Sequence, residues 1–226
     1  MNCLLCQTPF VPETNWSDFW RTENVDTPIC STCAIRFTRL QPPFCTSCHR
    51  QIRQAQAKRC EDCQKWAQYY PHKLLNNTSV YAYDSAFHDL MVAYKRRGDY
   101  VLWQVLTFLI RPHLRQMNFD YYVPLPSSPE HLLRRGFDTI KSIYEPLVPL
   151  TFALTKKSGV APQGEKNRRE RLMTPQTFLM CDNIKLSGHV LLLDDIYTTG
   201  RTLYHARDAL LQSNPDLIIE SLTISR

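Results

Sequence analysis

The sequence predicts an α/β protein in which helices flank a parallel sheet and a cysteine-rich module comes first. Residues 190–193, VLLL, have no polar position, which is typical of a strand covered on both faces of a parallel sheet. After residue 75, helical and strand patterns alternate, as they do in α/β domains. Eight of the nine cysteines lie within the first 63 residues, so this part of the chain is organised differently from the rest.

The early cysteines form four Cys-x-x-Cys pairs. These are Cys3/Cys6, Cys30/Cys33, Cys45/Cys48 and Cys60/Cys63. A two-residue gap lets a tight turn aim two thiolates at one ion, and two such pairs complete a closed tetrahedral Zn(Cys)₄ site. We therefore predict two structural zinc ions in a double zinc-ribbon module over residues 1–70. Sequential pairing is favoured because eleven residues, the length of a short hairpin, separate Cys48 from Cys60; an interleaved cross-brace is the alternative.

Two helices are predicted at the start of the α/β domain, which we assign to residues 76–226. The first covers residues 85–95, where apolar side chains recur at helical spacing: Phe87, Leu90, Met91 and Tyr94. The second runs from about Tyr100 to Met117, with Pro112 bending or ending it.

Strands and helices continue to alternate after residue 119. The segment DYYVPLP, residues 120–126, predicts a strand that proline stops, and residues 128–147 predict one helix that opens with Ser-Pro-Glu. The segment LIIESLTISR, residues 217–226, predicts the last strand.

Two adjacent carboxylates, Asp194 and Asp195, end the apolar strand, and the loop Thr198–Thr202 follows before a helical pattern. In an open α/β sheet this edge binds ligands. Hydroxyls, a glycine and the amides of a helix N-terminus suit a phosphate, whereas the carboxylates would repel one and suit ribose hydroxyls or Mg²⁺. The pattern predicts a site for a sugar phosphate with a metal. The alternative is an ordinary tight turn with solvated carboxylates.

This string resembles the motif with which type I phosphoribosyltransferases bind 5-phosphoribosyl-1-pyrophosphate (PRPP). The resemblance implies that Asp194 and Asp195 meet the ribose hydroxyls with Mg²⁺ present, and that a loop wraps the 5′-phosphate: Thr198, Thr199, Gly200, Arg201 and Thr202. VAYKRRGD, residues 92–99, resembles the pyrophosphate loop of the same fold, which implies a ligand role for Lys95, Arg96, Arg97 and Gly98. Asp194, Asp195 and Lys95 would be the catalytic residues.

Residues 123–138 and 163–178 resemble a narrower group, the ComF-type competence proteins, in which a double zinc ribbon precedes a phosphoribosyltransferase-like domain. This resemblance implies a role in natural transformation, with contacts to single-stranded DNA and to a ComF-type ATP-dependent helicase. The alternative is an active Mg²⁺-dependent phosphoribosyltransferase of nucleotide metabolism or salvage. Thr198 stands where purine-salvage transferases often carry a general-base aspartate, so hypoxanthine-type chemistry is not expected.

Net charge says little about nucleic acid, because two Zn(Cys)₄ sites of about −2 each bring the formal +6 of the chain to about +2. Local clusters of cations are candidate phosphate contacts, although solvated side chains are the common alternative. They lie at residues 94–100, 132–137, 155–157 and 165–171. Trp66, Tyr69 and Tyr70 either stack on bases or are buried at the junction over residues 64–76.

The sequence predicts neither a membrane segment nor a secretion signal. The longest nearly apolar run, Val101–Ile110, is about half of what a membrane span needs. The N-terminal MNCLLCQTPF lacks a basic start followed by an apolar stretch. We therefore expect a cytoplasmic protein without membrane insertion, in which the cysteines stay reduced and available to metal.

Overall fold

The structure is a computed structural model that describes residues 1–12, 27–52, 58–70, 74–156 and 176–226. Its main sheet contains four strands that all run parallel. They are β1 (Asn76–Tyr81), β2 (Tyr121–Pro124), β5 (His189–Ile196) and β6 (Ile218–Ser225), and their order in the sheet is β1-β6-β5-β2. A separate antiparallel pair joins β3 (Leu154–Lys156) to β4 (Phe178–Met180), and it had not been predicted.

Seven α-helices are described alongside these strands. They are α1 (Ser31–Ala34), α2 (Glu61–Tyr69), α3 (Ser85–Lys95), α4 (Trp103–Leu114), α5 (Pro129–Arg135), α6 (Thr139–Tyr144) and α7 (Arg201–Ser213). The bounds of α3 match the prediction, and its four predicted core residues are buried. No helix in the described part of the chain is long and apolar enough to cross a bilayer.

The two faces of the main sheet carry separate hydrophobic clusters. Leu191 and Leu193 of β5 pack with α3, α4 and α6 on one face, which we call the α4 face. Val190 and Leu192 pack with α7 on the opposite face, the α7 face. All four side chains are at most 1% exposed. Because successive residues of a strand point to opposite faces, this arrangement confirms the predicted strand buried on both sides and the α/β fold class.

The region predicted as one helix over residues 128–147 contains two helices, so that prediction was wrong. Gly136 ends α5 in the left-handed conformation, with φ of 79°. Asp138 then begins α6, because its carboxylate accepts hydrogen bonds from the backbone N–H groups of Ile140 and Lys141. A glycine at a helix C-terminus and an aspartate at the next N-cap are local stop and start signals.

The predicted helix over Tyr100–Met117 also differs from the structure. It begins as a short 3₁₀ helix over Tyr100–Leu102 and continues as α4. Pro112 lies inside α4, which ends two residues later at Leu114. The proline therefore marks the last turn of this helix without ending it at once.

The cysteine-rich module divides between the two faces of the sheet. Cys3 and Cys33 pack in the cluster of the α4 face. The four cysteines of the second group pack in the cluster of the α7 face: Cys45, Cys48, Cys60 and Cys63. The division into a module over 1–70 and a domain over 76–226 stays a prediction, because the two parts share hydrophobic contacts.

Candidate phosphate site and metal centres

Asp194 and Asp195 lie at the end of β5, where Asp194 is in register with Thr223 of β6. Asp195 is only 3% exposed, and its carboxylate forms an ion pair with the ammonium of Lys95. Lys95 is the last residue of α3. The structure thus brings together two residues that sequence reasoning placed in different loops of one site. Their roles as ligand or catalytic residues stay predictions.

The main chain and carboxylate of Asp194 are held by neighbouring groups. The Tyr144 hydroxyl donates to the Asp194 carbonyl at 2.9 Å, and the backbone N–H of Asp195 donates to Asp194 Oδ1 at 2.9 Å. Burial, followed by the negative charge of Asp195, raises the pKa of Asp194 to about 7. Burial and the Asp195 charge therefore favour the neutral form of Asp194, and a nearby cation would favour its charged form.

The segment Thr198–Thr202, which we call the phosphate loop, leads from β5 into α7. Thr198 is exposed and Thr199 is buried. Gly200 is the N-cap of α7 and has φ of 80°, a conformation that strongly favours glycine. A Cβ at Gly200 would lie 2.2 Å from the Tyr197 hydroxyl oxygen, so space also requires glycine here. Gly200 has no side chain to accept from the first-turn amides of α7, and the Thr199 hydroxyl accepts from the Arg201 N–H at 3.4 Å.

The segment predicted as the pyrophosphate loop, residues 92–99, starts inside the last turn of α3 and leaves the helix only after Lys95. Gly98 has φ of 75°, as expected for a glycine that makes a tight turn possible. Arg96 and Arg97 are exposed, whereas Lys95 is directed to Asp195. The structure therefore joins Lys95 to the acidic pair and leaves the two arginines at the surface.

Two further cations near the acidic pair had not been assigned to the site. Arg135 of α5 donates from Nε to the Lys95 carbonyl at 3.0 Å. Burial lowers the pKa of Arg135 while the charge of Asp195 opposes that shift, and burial likewise lowers the pKa of Lys156 of β3 while Asp194 opposes it. Both residues belong to cation clusters visible in the sequence, but only long-range packing lets their charges act on the carboxylates.

The cysteines form two groups, each with its four sulfur atoms within 4.8 Å of one another. One contains Cys3, Cys6, Cys30 and Cys33, and the other contains Cys45, Cys48, Cys60 and Cys63. This confirms sequential pairing over the interleaved alternative. All nine cysteines are described, and each is a free thiol. Four converging sulfur atoms are the donor set of structural zinc, so the two groups could hold two zinc ions.

The second cysteine group is supported by backbone contacts. The N–H of Cys60 donates to the sulfur of Cys45 at 3.3 Å, and Arg226 donates to the Cys48 carbonyl at 3.0 Å. A hydrogen bond from Cys45, followed by one from Cys48, raises the pKa of the Cys63 thiol. Four adjacent thiols cannot all ionise easily, because the thiolate charges repel one another. A bound divalent cation would neutralise part of this charge and stabilise the thiolates.

The aromatic residues predicted at the junction separate into buried and exposed positions. Trp66 is 3% exposed, and Tyr70 stacks on Tyr204 of α7 with ring centroids 4.8 Å apart. Tyr69, by contrast, is 72% exposed. Trp66 and Tyr70 are therefore packed at the junction, as one of the two alternatives predicted, whereas the ring of Tyr69 is exposed to solvent. The cation cluster at residues 165–171, with Arg168 and Arg169, lies outside the described residues.

Comparison with known proteins gives two relatives of nearly full length. No protein-family model matches the chain. It is 28% identical over 210 residues to the competence protein ComFC of Streptococcus pneumoniae, with 93% of each chain covered. It is 27% identical over 229 residues to the competence protein ComFC of Bacillus subtilis, with 99% of this chain and 94% of the relative covered. With the parallel sheet and the two Cys₄ groups, these matches support a ComFC-type protein.

Proposed function

We propose that the chain acts in bacterial competence and that it binds PRPP or a related ribose phosphate at the carboxyl end of β5. Both relatives are named as competence proteins, which supports the process. The observation that carries the ligand is the joining of Lys95 to Asp195 immediately before the phosphate loop. A phosphorylated sugar needs acceptors for its hydroxyl groups and positive charge or amide donors for its phosphate. The carboxylates, the lysine and the helix N-terminal amides supply these groups at one edge of the sheet.

The residues of the site have complementary parts in this proposal. Asp194 and Asp195 accept hydrogen bonds from the ribose hydroxyls, and their oxygens are the ligand type that Mg²⁺ prefers. The amides of the phosphate loop hold the 5′-phosphate. Lys95 leaves its ion pair with Asp195 and pairs with the pyrophosphate instead. Arg96 and Arg97 add positive charge at the surface. Magnesium, when bound with PRPP, neutralises part of the pyrophosphate charge.

In the adaptor form of the proposal, the protein also contacts single-stranded DNA and a ComF-type helicase during DNA uptake. Exposed cations such as Arg96 and Arg97 suit a phosphate backbone, and the exposed ring of Tyr69 suits stacking on a base. The zinc ions are structural in this scheme, because four thiolates leave no open coordination position.

A second candidate function is phosphoribosyl transfer itself. It is favoured by the ion pair of Lys95 with Asp195 and by Arg135, which bonds the Lys95 carbonyl, because positive charge stabilises departing pyrophosphate. Transfer would break the bond between ribose C1 and pyrophosphate oxygen and form one to an acceptor nucleophile. Pyrophosphate release thus separates the enzyme from the adaptor.

The proposal is tested by calorimetric titration of PRPP with and without Mg²⁺, followed by a pyrophosphate-release assay with nucleobases and with single-stranded DNA. We expect Mg²⁺-dependent binding that weakens about tenfold or more in Asp194→Asn, because a hydrogen bond to a charged group contributes about 1.5–3 kcal/mol. Asp182→Asn, which removes an exposed carboxylate elsewhere, is the matched control. Absence of PRPP binding by the wild-type protein would refute the ligand assignment.

A further inference from the structure

The indole of Trp66 reaches from α2 to the main chain of the phosphate loop. Its Nε1–H donates to the Thr199 carbonyl at 2.8 Å in a buried position. The carbonyl of Thr199 and the N–H of Gly200 belong to one planar trans peptide, so they point in opposite directions. By holding the carbonyl toward α2, Trp66 directs the Gly200 N–H to the side of the loop that faces away from the indole.

The face of the same indole restrains the start of α7. It stacks on Tyr204 with ring centroids 4.3 Å apart and an angle of 24° between the planes. Tyr204 lies in the first turn of α7, and its N–H donates to the Gly200 carbonyl at 2.9 Å. Trp66 therefore restrains the chain on both sides of Gly200, at the one residue of the loop with a left-handed conformation.

The helix that carries Trp66 is tied to the second cysteine group. Cys60 is the N-cap of α2, and Cys63 lies one turn before Trp66. Residues three apart on a helix lie on the same face, so the sulfur of Cys63 and the indole face the same side. A nine-residue helix is marginal without outside support, and a metal ion bound by Cys60 and Cys63 would supply that support.

We propose that Trp66 is a positioning residue that couples metal occupancy of the second cysteine group to phosphate binding at the loop. The metal holds α2, α2 holds the indole, and the indole aims the Gly200 N–H at the phosphate; the ligand in this scheme rests on the proposed function. Linkage is reciprocal, so a bound phosphate must also strengthen metal retention by the second group. The first group packs on the α4 face and takes no part.

The primary test compares Trp66→Phe with Tyr69→Phe in the full zinc-loaded chain. The first keeps an aromatic ring but removes the N–H, and the second removes a hydroxyl from a neighbouring residue that is 72% exposed. We expect Trp66→Phe to bind ribose 5-phosphate about two- to twelvefold more weakly, the effect of one neutral hydrogen bond. Amide hydrogen exchange at residues 199–202 should become faster. Tyr69→Phe should match the wild type in both measurements, and zinc content should stay the same.

A second measurement separates positioning from a loss of general stability. Zinc release to a chromogenic chelator is followed with and without ribose 5-phosphate. In the wild type, the ligand should slow release of one of the two ions, and in Trp66→Phe this protection should largely disappear. Wild-type loop exchange together with full protection in Trp66→Phe would overturn the proposal.

The two proposals fail in different ways. If the wild-type chain binds neither ribose 5-phosphate nor PRPP, the proposed function fails. Amide hydrogen exchange is measured without ligand, so it still tests the positioning role of Trp66. Faster exchange at residues 199–202 in Trp66→Phe, but not in Tyr69→Phe, supports that role, and unchanged exchange in Trp66→Phe refutes it.

Discussion

Replacement of Asp195 by asparagine should destabilise the protein as well as alter the site. The substitution keeps the side-chain volume but removes the charge that pairs with Lys95. The side chain of Asp195 is 5% exposed, and that of Lys95 is 25% exposed. Breaking a fully buried ion pair costs about 3–5 kcal/mol. Because the ammonium of Lys95 keeps access to water, we expect a smaller loss, about 2 kcal/mol, and a melting temperature lower by about 4–8 °C.

The assay for this prediction is a double-mutant cycle. Urea unfolding of the zinc-loaded protein is measured by circular dichroism for the wild type, Asp195→Asn, Lys95→Met and the double variant. The double variant should be more stable than the sum of the two single losses predicts, by about 1–2 kcal/mol, because it leaves no unpaired charge. Asp182→Asn should unfold like the wild type.

Equal unfolding midpoints for Asp195→Asn and the wild type would refute this reasoning, as would a coupling energy near zero. Either result would mean that Lys95 and Asp195 do not stabilise the fold through their pairing. If the prediction holds, weak ligand binding by Asp195→Asn has two causes. Asp194→Asn, at a position that lacks this ion pair, is then the clearer test of the ligand site.

Three further predictions follow from the site and the metal centres. Elemental analysis should find close to two zinc ions per chain, and a zinc-free folded protein would contradict the Cys₄ assignment. Gly200→Ala should lower the free energy of unfolding, measured by urea titration, by about 1–3 kcal/mol. Adding Tyr197→Phe removes the clash with the hydroxyl but should restore only part of this loss, because the ring Cζ remains 2.5 Å from the new Cβ and the backbone stays left-handed. Full restoration would exclude backbone strain as a cause. Burial raises the pKa of Asp194 from 3.8 to about 7, so its ionisation reduces wild-type stability as the pH rises through that window. Relative to wild type, Asp194→Asn should therefore gain unfolding free energy as the pH rises from about 4 to about 7, and a pH-independent difference over this range would contradict the assignment.

Much of the fold follows from short-range patterns. Helical spacing predicted α3 with its bounds, and an unbroken apolar run predicted the buried part of β5. The split between α5 and α6 was missed although its signals, Gly136 and Asp138, are local. The apolar spacing on both sides of these two residues favoured one long helix, although Gly136 signals a helix end and Asp138 a helix start.

The candidate site was predictable only in part, because its residues come from distant segments. The acidic pair and the phosphate loop are adjacent in sequence and were recognised together. Arg135 and Lys156 were visible only as members of cation clusters, because their approach to the carboxylates depends on how α5 and β3 pack. The cation cluster at residues 165–171 lies outside the part of the chain that the structure describes.

The sequence by itself determined the class of fold, the two sets of four cysteines and the succession of β5, the phosphate loop and α7. Each depends on the spacing of neighbouring residues, through the periodicity of a helix or strand or the reach of two thiolates to one ion. Only the tertiary structure decided that Lys95 pairs with Asp195, and that Trp66 donates to Thr199 across 133 positions of sequence. Contacts of this kind leave no local pattern, because they arise when separate elements pack on the two faces of one sheet.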